Sequence, residues 1–306
     1  MKTHIKKRLL LLTTFLFLFL IKGIIAFAEI PENEELLQAQ ALLSQSYEKT
    51  TIIKSEHELI KNLIIKNKIT TFQLKEHLIM LSNQLEPELK LKGYSTTQIY
   101  EIKKYNANID PMEFIAASSE AKLVFQFGLG GSDNTRKRVR IAYDIKWTSP
   151  PFFCFTDSYG IGWVAADANS HELATRIISA TGVGSIYSID GSKFIGNRNV
   201  TIDSNTAGVV RGTIAIGSAS GNYVKHMGGL IIVETQSGSY NMDTLQLFVA
   251  YAHTIPSIHI DAGVTIQFKK VGPTISFYPT LKQDMLIQGN ATFKYSAQWI
   301  KTLYHY

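Results

Sequence analysis

Arg138-Val139-Arg140-Ile141-Ala142-Tyr143-Asp144-Ile145-Lys146-Trp147 sets Val139, Ile141, Tyr143, Ile145 and Trp147 at every second position, with Arg138, Arg140, Ala142, Asp144 and Lys146 between them. Successive side chains of a strand point to opposite faces, so this stretch reads as a strand with one face in a core and one in water. Downstream, Ile258, Ile260, Ala262, Val264, Ile266 and Phe268 alternate in the same way with His259, Asp261, Gly263, Thr265, Gln267 and Lys269. Strands are also expected at Leu123 to Leu129, Val209 to Ile216, Leu230 to Thr235, Leu245 to Ala252, Thr274 to Tyr278 and Ala291 to Ala297. Many short strands separated by Gly, Ser and Asn turns predict an antiparallel sandwich or barrel. One short helix is expected within this region, over His171 to Ile178 with Asn169 or Ser170 as its cap.

Toward the N-terminus the character changes. From Asn33 to about Tyr105 the only glycine is Gly93 and the only proline Pro87, and Leu, Ile, Lys, Glu and Gln dominate, which is a helical composition. Leu36, Leu37, Ala41 and Leu43, then Leu59, Ile60, Leu63 and Ile64, follow spacings of three and four. A third helix is expected from Thr70 or Thr71 with Phe72, Leu74, Leu78, Leu81 and Leu85 inward and Pro87 at its end. After Gly93, Ser95 or Thr96 caps a shorter helix that turns Ile99 and Ile102 inward. The expectation is an α+β chain: a helical segment over residues 29–117, then an antiparallel β-sandwich-like domain over 118–306.

The first 28 residues have the order of a secretory signal. Lys2, Lys6, Lys7 and Arg8 precede an apolar run from Leu9 to Ile21, and Ala26-Phe27-Ala28 offers a signal peptidase its small residues. Cleavage after Ala28 leaves a chain beginning at Glu29; the alternative is an uncleaved membrane anchor, because Leu9 to Phe27 approaches the ~20 residues that span a bilayer. Five of the 31 basic residues lie in this leader and none of the 25 acidic ones, so the remainder holds 26 against 25. A near-neutral chain argues against nucleic acid as a partner, since that partner selects positive charge. Cys154 is the single cysteine and sits in Pro150-Pro151-Phe152-Phe153-Cys154-Phe155, where its aromatic neighbours predict burial.

Motifs for catalysis are missing from the sequence: no HExxH, GxSxG, CxxC, EF-hand loop or P-loop is present, and no cofactor is implied. His259 and Asp261 share a strand face and are the weak candidates for a metal. His171, Glu172 and Asp157 are the other suggestive polar residues of the β region, and His253 shares the nominal parity of His259. Arg136, Lys137, Arg138 and Arg140 form the densest positive run after the leader, and on a strand three of them share a face suited to phosphate or carboxylate. Tyr143, Trp147, Tyr159 and Trp163 supply either core or a flat apolar surface beside it.

Three functions follow. The first is a secreted non-catalytic binding or interaction protein, whose partner is a cell-surface polymer, a membrane or a protein. The second is a β-pore former in which Leu245 to Phe268 makes two arms of a hairpin, spanning strands needing ~9–11 alternating residues. The third is a glycan or cell-wall hydrolase, which requires two of Asp144, Asp157, Asp167, Asp190, Asp203, Asp243 and Asp261 to converge in a groove within ~5–9.5 Å.

Overall fold

The computed structural model describes residues 34–302 apart from 46–49, 66–68, 93, 131–135, 206–207, 218–220, 237–240, 255–265, 280–284 and 297. The leader and the His259/Asp261 pair therefore lie outside the described residues. The chain order begins α1 (Glu34–Gln45), β1 (Thr50–Ser55), α2 (Glu56–Ile65), α3 (Thr71–Asn83), α4 (Glu86–Leu91), α5 (Thr96–Lys104) and α6 (Pro111–Ser118). There follow β2 (Lys122–Gly130), β3 (Arg138–Trp147), β4 (Thr156–Ala166), β5 (Glu172–Leu173), β6 (Thr175–Ala180), β7 (Val183–Tyr187), β8 (Phe194–Asn199) and β9 (Thr201–Asn205). The chain continues with β10 (Val209–Ala215), β11 (Tyr223–Thr235), β12 (Thr244–His253), β13 (Ile266–Val271), β14 (Thr274–Pro279), β15 (Met285–Ser296) and β16 (Gln298–Thr302).

Among the described residues these elements make an α+β fold with two seven-stranded antiparallel sheets and a separate β13–β14 pair. Sheet A runs β1-β2-β3-β11-β7-β8 with β6 also on β11, and sheet B runs β16-β15-β12-β4-β10-β9 with β5 on β4. Period two builds the space between them. Val139, Ile141, Tyr143, Ile145 and Trp147 of β3 and Leu245, Leu247, Val249 and Tyr251 of β12 are all buried in one core, which also holds Tyr159, Ile161 and Trp163 of β4. The Tyr143 and Tyr159 hydroxyls meet at 2.5 Å across the sheets. Burying a large apolar side chain stabilises by about 1.5–3 kcal/mol, so this interior is the main term holding the two sheets together.

The helices start where side chains can satisfy free amides. Thr70 Oγ1 accepts from the Gln73 amide at 3.1 Å while Gln73 Oε1 accepts from the Thr70 amide at 2.9 Å, and Ser95 and Gln98 repeat the arrangement at 3.0 and 2.9 Å. The inward residues are narrower than expected: Leu36, Ala39 and Leu43 on α1, and Leu74, Leu78 and Leu81 on α3, while Leu37, Phe72 and Leu85 are exposed. Pro87 sits in the first turn of α4 rather than at the end of α3; its missing N–H is harmless there.

Two expectations are corrected. Thr50–Ser55, read as part of the helical segment, is strand β1 and pairs with β2 from Thr50↔Phe127 to Ser55↔Lys122; its β-branched Thr and Ile residues suit a pleated surface. His171 to Ile178 is not a helix: Glu172–Leu173 is β5 and Thr175 to Ile178 belongs to β6. Ser170 has φ of 65° and Asp167 Oδ1 accepts the Asn169 and His171 amides at 2.8 and 2.9 Å, so the chain turns instead of starting a helix. Thr175, Arg176 and Ile177 then pair with Thr235, Glu234 and Val233 of β11.

Each sheet also carries a cover on its outer face. On sheet B the β13–β14 hairpin lays Phe277 against Gly160 and Ile275 against Gly162, where an added Cβ would stand 2.5 and 2.9 Å from their side chains. On sheet A, α1 packs Ala39 and Leu43 against Ala142 and rests Leu36 on Gly228.

Candidate functional site

Polar residues on the inward parity of sheet B form the densest ionisable cluster. β12 continues Leu245, Leu247, Val249 and Tyr251 with His253, and β4 begins the series Tyr159, Ile161 and Trp163 with Asp157. Both side chains therefore enter the core, where they meet Glu56 from the first turn of α2. All three have no solvent exposure. His253 Nδ1 lies 2.8 Å from Asp157 Oδ2 and its Nε2 lies 3.3 Å from Glu56 Oε1.

The remaining lone pairs are taken. Glu56 accepts from the Phe152 and Phe153 amides at 2.7 and 3.0 Å and from the Ser119 hydroxyl at 3.0 Å. Asp157 accepts from the Thr254 amide at 3.0 Å and from the Tyr251 hydroxyl, which in turn accepts from Trp147 Nε1 at 3.2 Å. Burial works against the charged form of His253, but the Asp157 charge, its hydrogen bond and the Glu56 contacts outweigh it and hold the imidazole up at about 10. The ring is thus an imidazolium that donates from both nitrogens at neutral pH. The cluster joins α2 and the Phe152–Phe153 segment to both inner strands of sheet B.

Beside it, the Cys154 thiol is buried and bonded to the Pro151 carbonyl at 3.1 Å. Burial, then the Glu56 and Asp157 charges, push the thiol well above its ordinary range, which leaves it protonated and a poor nucleophile.

The arginine run divides in two. Arg136 precedes β3, pairs with Asp243 and lies over the Tyr295 ring at 4.5 Å. Arg138 and Arg140 project from the outer face of sheet A, on the half that α1 leaves open. Arg138 donates to Glu234 Oε1 at 2.8 Å, and Arg176 of β6 donates to Glu234 Oε2 at 2.6 Å from the other side of β11. These bonds, Arg176 first and then Arg138, hold the Glu234 carboxyl below its usual range. Arg140 is exposed two residues along the same strand and Lys137 is half-buried. Two guanidinium groups thus meet at one carboxylate, with exposed Arg140 two residues along β3 and exposed Ile178 on β6.

The other candidates do not assemble. Tyr143, Trp147, Tyr159 and Trp163 are all core. Asp167 holds its own loop with His171 at 3.3 Å, Asp190 is held at about 2 by Ser188 and Ser192, Asp203 pairs with Arg211, and Asp144 lies under α1 with His226 at 3.3 Å. Glu172 pairs with Lys270. Each of these aspartates is thus engaged by its own separate partner, and among the described residues no group of three or more His, Cys, Asp and Glu is set to hold a metal ion. Of the hairpin expected from Leu245 to Phe268, the described first arm is β12, which pairs with β4 on one side and β15 on the other; residues 255–265, which hold its tip and most of its second arm, lie outside the described residues.

No family model matches the chain, and no curated protein matches it. Among solved structures it is similar to the collagen-binding domain of a Staphylococcus aureus adhesin, with 9% identity and a TM-score of 0.26 over 50% of this chain and 93% of that one. It is also similar to the KRT10-binding region domain of the pneumococcal serine rich repeat protein PsrP, at 10% identity and a TM-score of 0.21 over 43% and 78%. The B domain of a biofilm associated protein gives 8% identity and a TM-score of 0.21 over 60% and 58%. Scores this low say nothing of what this chain binds.

Proposed function

We propose that the protein is an exported, non-catalytic binding protein that presents Arg138, Arg140 and Arg176 to a phosphate- or carboxylate-bearing surface polymer. One contrast carries the reading. The acid–base cluster Glu56–Asp157–His253 is sealed and internally saturated, whereas the guanidinium groups around Glu234 lie on an open sheet face. A catalytic acid or base needs hydrogen-bond reach to a substrate proton, and a fully enclosed cluster has none. Guanidinium forks suit planar oxyanions and bind them in pairs of hydrogen bonds. Export rests on the leader, and cleavage after Ala28 is checked by N-terminal sequencing of the secreted chain, which should begin at Glu29.

The test is retention of the chain from Glu29 on immobilised polyphosphate and on immobilised poly-glutamate, read as the salt needed for elution. Arg140→Gln alone, and Arg138→Gln, Arg140→Gln and Arg176→Gln together, should lower that salt stepwise, because each lost contact reduces counterion release. Retention unchanged in the triple variant, with its fold intact by circular dichroism, contradicts the assignment.

A further inference from the structure

Five separate stretches of chain surround a cleft of about 360 Å³, a volume at the small end of the range for small-ligand sites. β4 gives it Trp163, β5 and the link to β6 give Glu172 and Thr175, Gly208 precedes β10, Gln236 follows β11, and Lys270 comes from β13. The walls are fixed by hydrogen bonds. Trp163 donates its amide to the Gly208 carbonyl and its indole Nε1 to Thr175 Oγ1, both at 3.0 Å. Gly208 has φ of 77°, and a Cβ there would stand 3.2 Å from the Trp163 carbonyl, so glycine is what lets the chain pass this close. The Gln236 amide donates to the Ala174 carbonyl at 2.9 Å, and its side-chain Nε2 donates to the Thr175 carbonyl at 3.1 Å.

Those bonds leave a mixed set of polar groups for a ligand. Gln236 Oε1 can accept, and the Thr175 hydroxyl, which accepts from Trp163, keeps its own hydrogen to donate. Glu172 and Lys270 form an ion pair through Glu172 Oε1, so Oε2 and the remaining ammonium hydrogens are left over. Val164, Ala165 and Leu173 complete an apolar lining with Trp163. The two charges cancel, so a ligand of either net charge gains little from them. A zwitterion would have to separate the pair to engage both partners, whereas a hydroxyl group both donates and accepts and can bond to the pair as it stands.

We propose that this cleft binds one neutral sugar residue, whose hydroxyl groups bond to Glu172, Lys270, Thr175 and Gln236 and whose C–H surface meets the apolar lining. The site is independent of the cationic face built on Arg138, Arg140 and Arg176.

The experiment labels the chain from Glu29 with 5-fluorotryptophan and follows its fluorine NMR signals during titration with glucose, galactose and N-acetylglucosamine, and separately with glycine. The Trp163 signal, identified by its loss in Trp163→Phe, should move saturably with at least one of the sugars at millimolar concentration, while the signal of Trp147 in the core stays fixed. Glu172→Ala and Lys270→Ala should each weaken that binding about tenfold, the loss of one hydrogen bond to a charged group. Ala174 lines the cleft at an exposed position, so Ala174→Leu should block the sugar with the fold intact by circular dichroism. Arg140→Gln should leave it unchanged. No movement with any of the three sugars overturns the proposal, as does movement with glycine. Sugar binding that survives Ala174→Leu also overturns it, because the sugar would then sit elsewhere.

Discussion

The interior cluster and the outer face of sheet A use the same chemistry to opposite ends. In the interior, two carboxylates and an imidazolium are enclosed and every lone pair is matched, including by the Phe152, Phe153 and Thr254 amides. On the outer face, two guanidinium groups, those of Arg138 and Arg176, share Glu234, and Arg140 is exposed two residues along β3. Enclosure converts ionic groups into a fastener between elements, while exposed groups keep contact with solvent, which is why the proposed binding site is placed on the outer face. Enclosed pairs are costly to break because the survivor is left charged and unpaired; exposed pairs contribute ~0–1 kcal/mol.

The contrast breaks most readily at His253. His253→Ala leaves Glu56 and Asp157 facing each other without a cation and should cost about 3–5 kcal/mol in urea unfolding. A loss under about 1 kcal/mol would mean that the cluster fastens nothing. Next comes pH. The imidazole is held at about 10 in the fold and near 6.5 when unfolded, so its contribution is complete below pH 6.5 and is lost as pH rises through 10. The melting temperature should fall over that window, and His253→Asn should flatten the fall.

A smaller effect is expected at the floor of the β13–β14 hairpin. Gly160→Ala places a methyl 2.5 Å from Phe277 and should cost about 1–3 kcal/mol as overpacking, with Phe277→Ala restoring part of it. If Phe277→Ala restores nothing, the hairpin does not rest on that glycine. Smallest is the outer face: Arg140→Gln should change stability by under about 0.5 kcal/mol and still lower the salt needed to elute the chain from polyphosphate.

Legibility in the sequence follows the same division. β3 could be read from its alternation because one face meets the core while the other carries Arg138, Arg140, Asp144 and Lys146, even though α1 covers Ala142 and Asp144 at its middle. β4, at the centre of sheet B, could not: Gly160 and Gly162 stand on its outer parity to seat the hairpin, and glycines in Thr156–Ala166 read as loop. The helix expected at His171 failed because the Asn169–Ser170 turn looked like a cap and the β-branched Thr175, Ile177 and Ile178 were given too little weight. Part of the cluster was visible in principle, since His253 and Asp157 fall on the apolar parity of their strands. Glu56 had no such signal; an acidic residue opening a helix is ordinary, and only tertiary packing brings it to His253. The arginine run was legible as a run, but its division between Asp243 and Glu234 depends on which strands lie alongside.

The most direct measurement is a two-dimensional NMR titration of the labelled chain with polyphosphate, following arginine Nε–H and histidine ring signals together. The Arg138, Arg140 and Arg176 signals should shift in a saturable, salt-sensitive way while the His253 ring stays fixed. Movement of His253 with no change at the three arginines would contradict the division between interior fastener and proposed binding face.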